Sequence, residues 1–430
     1  MARAVNVIME VKDSYGEYRS FDINNMGLVS MTFDRFLGTP KNFESGILSK
    51  LDLMIFDRSG YDLLSKVQTN RANIKLKYGF DTPESMSSLY NLSVIKFKST
   101  FNNLGCMAAI GAYATQTNIT YPAQFYRQGT PVEDMLISFA KRNGWYIGEG
   151  TTVNGRTEYP NIKCNVLLPR ELWKPEGSDI DFINSEIVPL CNSTVDNIGG
   201  YMSSTTYWDV ILYPDGGRIS FMFLPYAKRK QLSRVWDYSY GTSTQSEVIS
   251  LTNTIDYTFL IEGLTVKIPV TASEAYLEDE KGLVTKYSEM IGNRWENIQS
   301  IMERHNLPVP DIADFKLKLQ LTYIENADHQ PIEARVIDSV KKAIMTLNVM
   351  DLEVIGNPKI MPTDIVRLKV KNNDGHDNIA SGLWKIVYIT EEIGLQGYKT
   401  KLKLVREDSD ILTYTSDKVM KSRMQEFVPA

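Results

Sequence analysis

Residues 354–370, VIGNPKIMPTDIVRLKV, begin like a β-strand, break at Gly356-Asn357-Pro358, restart at Lys359 and break again at Pro362. They then alternate Val366, Leu368 and Val370 with Arg367 and Lys369. Proline has no amide hydrogen to give to a ladder and is excluded from the middle of a sheet. One central strand is therefore ruled out. The stretch has to belong to a β-structure that tolerates repeated interruption.

The neighbouring sequence is β-patterned as well. KLKLQLTY (316–323) sets Leu317, Leu319, Leu321 and Tyr323 at period two, and QPIEARVIDSVKKAIM (330–345) places Ile332, Val336, Ile337, Val340 and Ile344 on one helical stripe. Downstream come a polar hairpin turn, NNDGHDN, a strand WKIVYIT opening at Trp384, the loop EEIGLQG and a strand YKTKLKLV. In the last of these Tyr398, Leu402 and Leu404 face one way and Lys399, Lys401 and Lys403 the other. Such alternation marks a half-buried antiparallel sheet.

The first hundred residues carry the same signature. SMTF (30–33), LDLMIF (51–56), NIKLKYGF and VIKFKS predict strands, with Ile74, Leu76, Tyr78, Ile95 and Phe97 on the inner face and Lys75, Lys77, Lys96 and Lys98 on the outer. A short helix over 59–68, capped by Ser59, is expected among them. The ending LSVIKFKSTFNNLGCMAAIGAYA parallels WKIVYITEEIGLQGYKTKLKLV as strand, glycine-containing loop and strand, so duplication of one unit is a hypothesis.

Between the two β regions lies TPVEDMLISFAKRNGWYI (130–147). Thr130 is expected to cap a helix, Pro131 to take its first position and Glu133 to complete a capping box. Val132, Met135, Leu136, Phe139 and Ala140 fall on one face, and Asn143-Gly144 supplies a left-handed stop before a strand opening at Trp145. TTVNGRTEY predicts a hairpin at Asn154-Gly155, and YWDVILYPDGGRISFMFLP another at Asp215-Gly216-Gly217. Residues 228–282 are polar and weakly patterned. A helix is expected over 283–305 and a linker at LPVPD (307–311).

At 430 residues, 43% apolar and 23% charged, the chain has the composition of a folded protein of several domains. A net charge of −5 argues against a sequence-specific nucleic-acid binder. Cys106, Cys164 and Cys191 read as buried thiols in a reducing compartment. The amino terminus lacks a signal-peptide pattern, and no apolar run approaches membrane-spanning length, so no membrane insertion is expected.

No catalytic constellation stands out. His305, His329 and His376 are scattered, and there is no Cys-x-x-Cys, phosphate-binding glycine loop or Gly-x-Ser-x-Gly elbow. Asp179/Asp181, Glu278-Asp279-Glu280, Glu391-Glu392 and Glu407-Asp408/Asp410 read as solvated faces or turns, since a glycosidase needs carboxylates converging across a cleft. Trp145, Trp208 and Trp384, near strand starts, read as core. No catalytic residue, cofactor or metal ligand is expected, and the chain is not expected to be an enzyme.

VSMTFDRFLGTPKNFESGILSKLDLMIFD, PVEDMLISFAKRNGWYI and, most specifically, IEARVIDSVKKAIMTLNVMDLEVIGNPKIMPTDIVRLKV with LWKIVYITEEIGLQGYKTKLKLVRE resemble the baseplate hub of T-even-type contractile-tailed bacteriophages and contractile injection systems. Thr363 stands where many relatives carry glycine. The resemblance implies an α+β, β-rich fold with two small antiparallel tail-tube-like β-barrels and inserted α/β and helical segments. Gly356-Asn357-Pro358 and Pro362 then become turns between short barrel strands.

The implied organisation is a first barrel over 1–117, an α/β insertion over 118–200, a hairpin and helical region over 201–311, a second barrel over 312–406 and a charged tail over 407–430. The implied role is that of a structural homotrimer in the virion, assembled in the host cytoplasm. Its partners would be the tail tube protein, a separate central spike protein, other baseplate proteins and the tape measure protein. Gly144, Trp145, Gly356, Pro358, Pro362, Trp384, Tyr398, Leu402 and Leu404 are the expected structural or interaction residues. The alternatives are a muralytic or polysaccharide-cleaving tail enzyme, and the hub of a long-tailed phage or bacterial injection system.

Overall fold

The computed structural model describes residues 5–12, 17–36, 47–57, 73–80, 82–102, 105–115, 119–153, 155–193, 208–225, 233–241, 247–255, 264–296, 299, 317–324, 335–339, 348–371, 378 and 380–406. The helix expected over 59–68, the linker 307–311, most of NNDGHDN and the tail from 407 lie outside them.

The first seven strands are β1 (Val5–Lys12), β2 (Tyr18–Asp22), β3 (Leu28–Phe36), β4 (Ile47–Asp57), β5 (Asn73–Phe80), β6 (Tyr90–Asn102) and β7 (Gly105–Thr115). A middle region carries the short strands β8 (Thr120–Tyr121), β9 (Gln124–Tyr126), β10 (Thr151–Val153), β11 (Arg156–Glu158), β12 (Leu172–Lys174) and β13 (Gly177–Ser178), then the hairpin β14 (Trp208–Asp215) and β15 (Arg218–Pro225). The remainder supplies β16 (Val235–Tyr240), β17 (Val248–Ile255), β18 (Leu264–Thr271), β19 (Leu317–Ile324), β20 (Asn348–Ile355), β21 (Ile365–Val370), β22 (Gly382–Gly394) and β23 (Gly397–Val405).

Thirteen strands form one sheet, ordered β17-β20-β23-β22-β3-β4-β7-β6-β5-β1-β2, with β21 also on β22 and β16 parallel on β21. The chain is thus β-rich with few helices. Among the described residues the pairings close no barrel. Strands β16 and β17, which join this sheet, come from the weakly patterned stretch 228–282; the clearly patterned KLKLQLTY instead becomes β19 and pairs with β18 in a separate two-stranded parallel sheet.

Period two builds the cores. Ile74, Leu76 and Tyr78 of β5 pack with Leu51, Leu53 and Ile55 of β4, while Trp384, Ile386, Leu402 and Leu404 pack with Leu352 and Leu368. Ile95 departs from its expected inward place: the β6–β7 register shifts between Val94 and Lys96, leaving Ile95 59% exposed. A bulge residue has no partner opposite it, so the strand changes the face it presents.

The interrupted stretch resolves into β20, two turns and β21. Asn357 O accepts from Ile360 N–H (3.3 Å) with Pro358 at the second turn position, and Met361 O accepts from Asp364 N–H (2.9 Å) with Pro362 at the equivalent one. Proline's fixed φ suits that position. Gly356 is where backbone crosses an aromatic ring, since a Cβ there would lie 2.1 Å from Tyr398 Cγ.

The middle region packs a core, joined by Leu48 of β4, around the helix Val132–Asn143, whose Val132, Met135, Leu136, Phe139 and Ala140 are buried as expected. The expected capping box does not form. Pro131 is the N-cap, with no side-chain cap bond, and Thr130 Oγ1 donates to Arg127 O (2.7 Å). Gly144 closes the helix at φ 69°, and Trp145 N–H returns to Ala140 O (2.9 Å). The segment after it makes an isolated parallel bridge, Tyr146 to Ser220, in place of a strand. Both expected hairpins, β10–β11 and β14–β15, are present. The helix expected over 283–305 begins earlier, at Glu280, because Asp279 caps it through Gly282 N–H (2.8 Å).

Candidate functional site

Strand β22 is long enough to serve two neighbours. Its start, Gly382–Lys385, pairs with β21, and Tyr388–Gly394 pairs antiparallel with Phe36–Ser30 of β3, with a register shift between Ile386 and Tyr388 on the β23 side. The C-terminal strands are thereby stitched edge-on to the N-terminal strands. Beneath this seam lies a buried polar cluster. Arg35, 1% exposed, donates to Ile360 O (2.7 Å), to the Tyr90 hydroxyl (3.2 Å) and to Glu391. Glu391, fully buried, accepts from Arg35, from Thr400 Oγ1 (2.6 Å) and from the Tyr398 hydroxyl (3.0 Å). Phe33, Tyr78 and Tyr90 surround the cluster with ring centroids 5.0–6.3 Å apart.

Burial pushes the Glu391 carboxyl above its usual range, against the opposing pull of Arg35, Thr400 and Tyr398. Removing one partner of such a pair strands a charge and costs about 3–5 kcal/mol. The cluster draws on both halves of the chain: Arg35 and Tyr90 from one, Ile360, Glu391, Tyr398 and Thr400 from the other. It therefore fixes how they meet.

Expectation and structure diverge at the acidic pairs. Glu391 is not solvated; only Glu392 faces outward, paired to Lys401 at 2.7 Å. Asp179 is not solvated either: it is 1% exposed and accepts from Arg142 and from Asn143 Nδ2 (2.7 Å) at the C-terminal end of the helix Val132–Asn143. The signal for Arg35 and Glu391 was present. Arg35 continues the inward series Met31, Phe33, and Glu391 sits between Ile389 and Ile393.

Of the singled-out residues, Trp384, Leu402 and Leu404 share the C-terminal core, and Tyr398 packs with the N-terminal core while contacting Gly356. Pro358 and Pro362 are buried at the two turns. Trp145 lies apart in the middle core, where it stacks on Phe221 at 5.0 Å, and Gly144 is exposed at the end of the helix before it. Trp208 stacks on Phe223 at 5.4 Å.

A cavity of about 290 Å³ lies where β5, β6 and β7 meet the β14–β15 turn; Tyr18, Asn73, Asn91, Ser93, Tyr113 and Arg218 line it, and among the described residues no carboxylate does. Among the described residues no group of His, Cys, Asp and Glu is arranged to hold a metal, and no helix is long and apolar enough to cross a membrane.

No family model and no curated protein matches the chain. Solved structures do. The 43 kDa tail protein of prophage MuSo2 from Shewanella oneidensis is 11% identical at a TM-score of 0.48, covering 93% of this chain and 98% of that one. A tail protein from Neisseria meningitidis MC58 is 10% identical at 0.45, covering 93% and 97%. A prophage tail protein from Listeria monocytogenes EGD-e is 11% identical at 0.40, covering 96% and 99%. Likeness of this size leaves the function to be argued from the chain's own residues.

Proposed function

We propose that this chain is the structural baseplate hub of a phage contractile tail, a homotrimer whose two β-units per copy form a pseudo-sixfold ring. The ring would join a hexameric tail tube to a trimeric central spike and surround the DNA passage. One observation carries the reading. The strands β6-β7-β4-β3 are followed in the same sheet by β22-β23-β20-β17. Matching the hairpin β6–β7 to β22–β23 makes the junction β3–β22 a head-to-tail contact between two like units.

A head-to-tail contact repeats until it closes into a ring or runs on as a filament. The run of eight strands ends in β17, whose described strand partner is β20, and in β6, which beyond Ser93 pairs only with β7 among the described residues. Ile95 and Phe101, 59% and 71% exposed, lie on that open edge. Three copies joined β17 to β6 would repeat the internal junction and present six like units. Proteins ordinarily cover or protect a long edge strand; a neighbouring copy would cover this one.

The tail tube protein, the spike, other baseplate proteins and the tape measure protein are the partners this reading assigns, with the virion tail as location. The muralytic alternative draws nothing from the cavity, which has no carboxylate in its lining among the described residues. A long-tailed or injection-system hub would use the same ring. Light scattering on the purified chain, alone and with its spike partner, tests the proposal. A trimer is expected in at least one case, and a monomer in both overturns it.

A further inference from the structure

The middle core holds a pair of groups that the ring does not use. Cys164 Sγ and Cys191 Sγ stand 3.7 Å apart, neither in a disulfide, 2% and 0% exposed. Cys164 lies on extended chain between β11 and β12, where Lys163 N–H donates to Phe223 O (3.0 Å) and holds the segment on β15. Cys191 lies in the helix Val188–Ser193, directly after a π-helical turn, Ile183–Ile187. Two separately anchored elements thus bring two sulfurs together. A disulfide needs them at about 2.05 Å, an approach of about 1.7 Å. Cys106 is remote from the pair, buried in a small cluster on β7.

We propose that Cys164 and Cys191 form an oxidation site, closing an intrachain disulfide when the chain meets a small peroxide. One thiolate attacks a peroxide oxygen, the O–O bond breaks, and a sulfenic acid and hydroxide result. The second sulfur then attacks the sulfenic sulfur, forming S–S and expelling hydroxide. The two thiol protons neutralise the two hydroxides, so two thiols and one peroxide give one disulfide and two waters. Two electrons pass from the sulfurs to the peroxide oxygens. In a reducing compartment the pair stays open, and in an oxidising one it closes. The bond would tie the helix Val188–Ser193 to β15's neighbour across a sequence separation of 27 residues. Nothing in this depends on the ring.

The full chain, freed of reductant, is treated with hydrogen peroxide under native conditions, denatured, alkylated with iodoacetamide and mapped by mass. A Cys164–Cys191 cross-linked peptide with Cys106 alkylated is expected. The thermal midpoint should rise by about 5 °C or more, reversibly with dithiothreitol. Cys164→Ser should show neither the cross-link nor the rise. Three alkylated thiols, a sulfinic acid at either position, or a cross-link to Cys106 in the wild-type map would overturn the proposal without need of any variant.

Discussion

In the C-terminal half the strand β22 leaves β21 after Lys385 and continues along β3 from Tyr388 to Gly394; in the N-terminal half β6 leaves β5 after Ser93 and, among the described residues, continues along β7 alone. Both strands are 13 residues long, and both bend from one neighbour toward the next with a register shift at the bend. Ile389 and Ile393 of β22 are buried, whereas Ile95 and Phe101 of β6 face solvent. The same hairpin device has its outer edge covered in one setting and, among the described residues, open in the other. In the proposed ring, the covered edge is the template for what the open one would bind.

Variants at the covered edge test the template. Leu404→Asp puts a charge at a fully buried position and should cost about 4 kcal/mol or more, enough that circular dichroism shows no cooperative melt of the C-terminal strands. A normally melting Leu404→Asp chain would mean that β23 is not central to its unit. Glu391→Ala leaves Arg35 buried and unpaired and should lower stability by about 3–5 kcal/mol in urea unfolding. The double variant Arg35→Met with Glu391→Leu should recover much of that loss. If the double variant is no better than the single, the cluster does more than fix the junction.

Gly356→Ala should cost about 1–3 kcal/mol, since the new methyl meets the Tyr398 ring. The pH dependence of stability sharpens the comparison further. Burial raises Glu391 above its unfolded value, so between those two values the folded state holds more protons than the unfolded one. Its contribution should therefore grow as pH falls from neutral toward the ordinary carboxylate range and be lost as pH rises through the folded value. Urea unfolding of wild type against Glu391→Gln across that window should show this sign and no slope of the opposite one. At the open edge, Ile95→Lys with Phe101→Asp should change chain stability by no more than about 0.5 kcal/mol. The same pair should convert a trimer to a monomer in light scattering. A trimer that survives it would place the contact elsewhere.

Much of this was legible from residues alone. Period two in NIKLKYGF and YKTKLKLV placed Ile74, Leu76, Tyr78, Leu402 and Leu404 inward, and the prolines of 354–370 announced the two turns. Ile95 was misread because a bulge changes parity without a mark in composition. Arg35 and Glu391 were passed over because a charged residue in an alternating strand reads as solvent-facing until its partner is known. That partner lies 356 residues away.

The sequence by itself determined the local matters: which residues alternate, where glycine and proline stop a strand, and which helix face is apolar. These depend on neighbours a few residues apart. Only the tertiary structure decided that β16 and β17 join the main sheet while β19 does not, that β22 continues the N-terminal strands through β3, and that Asp179 and Glu391 are buried. Strand pairing and the neutralisation of a buried charge are set by segments distant along the chain, and no local pattern names the partner.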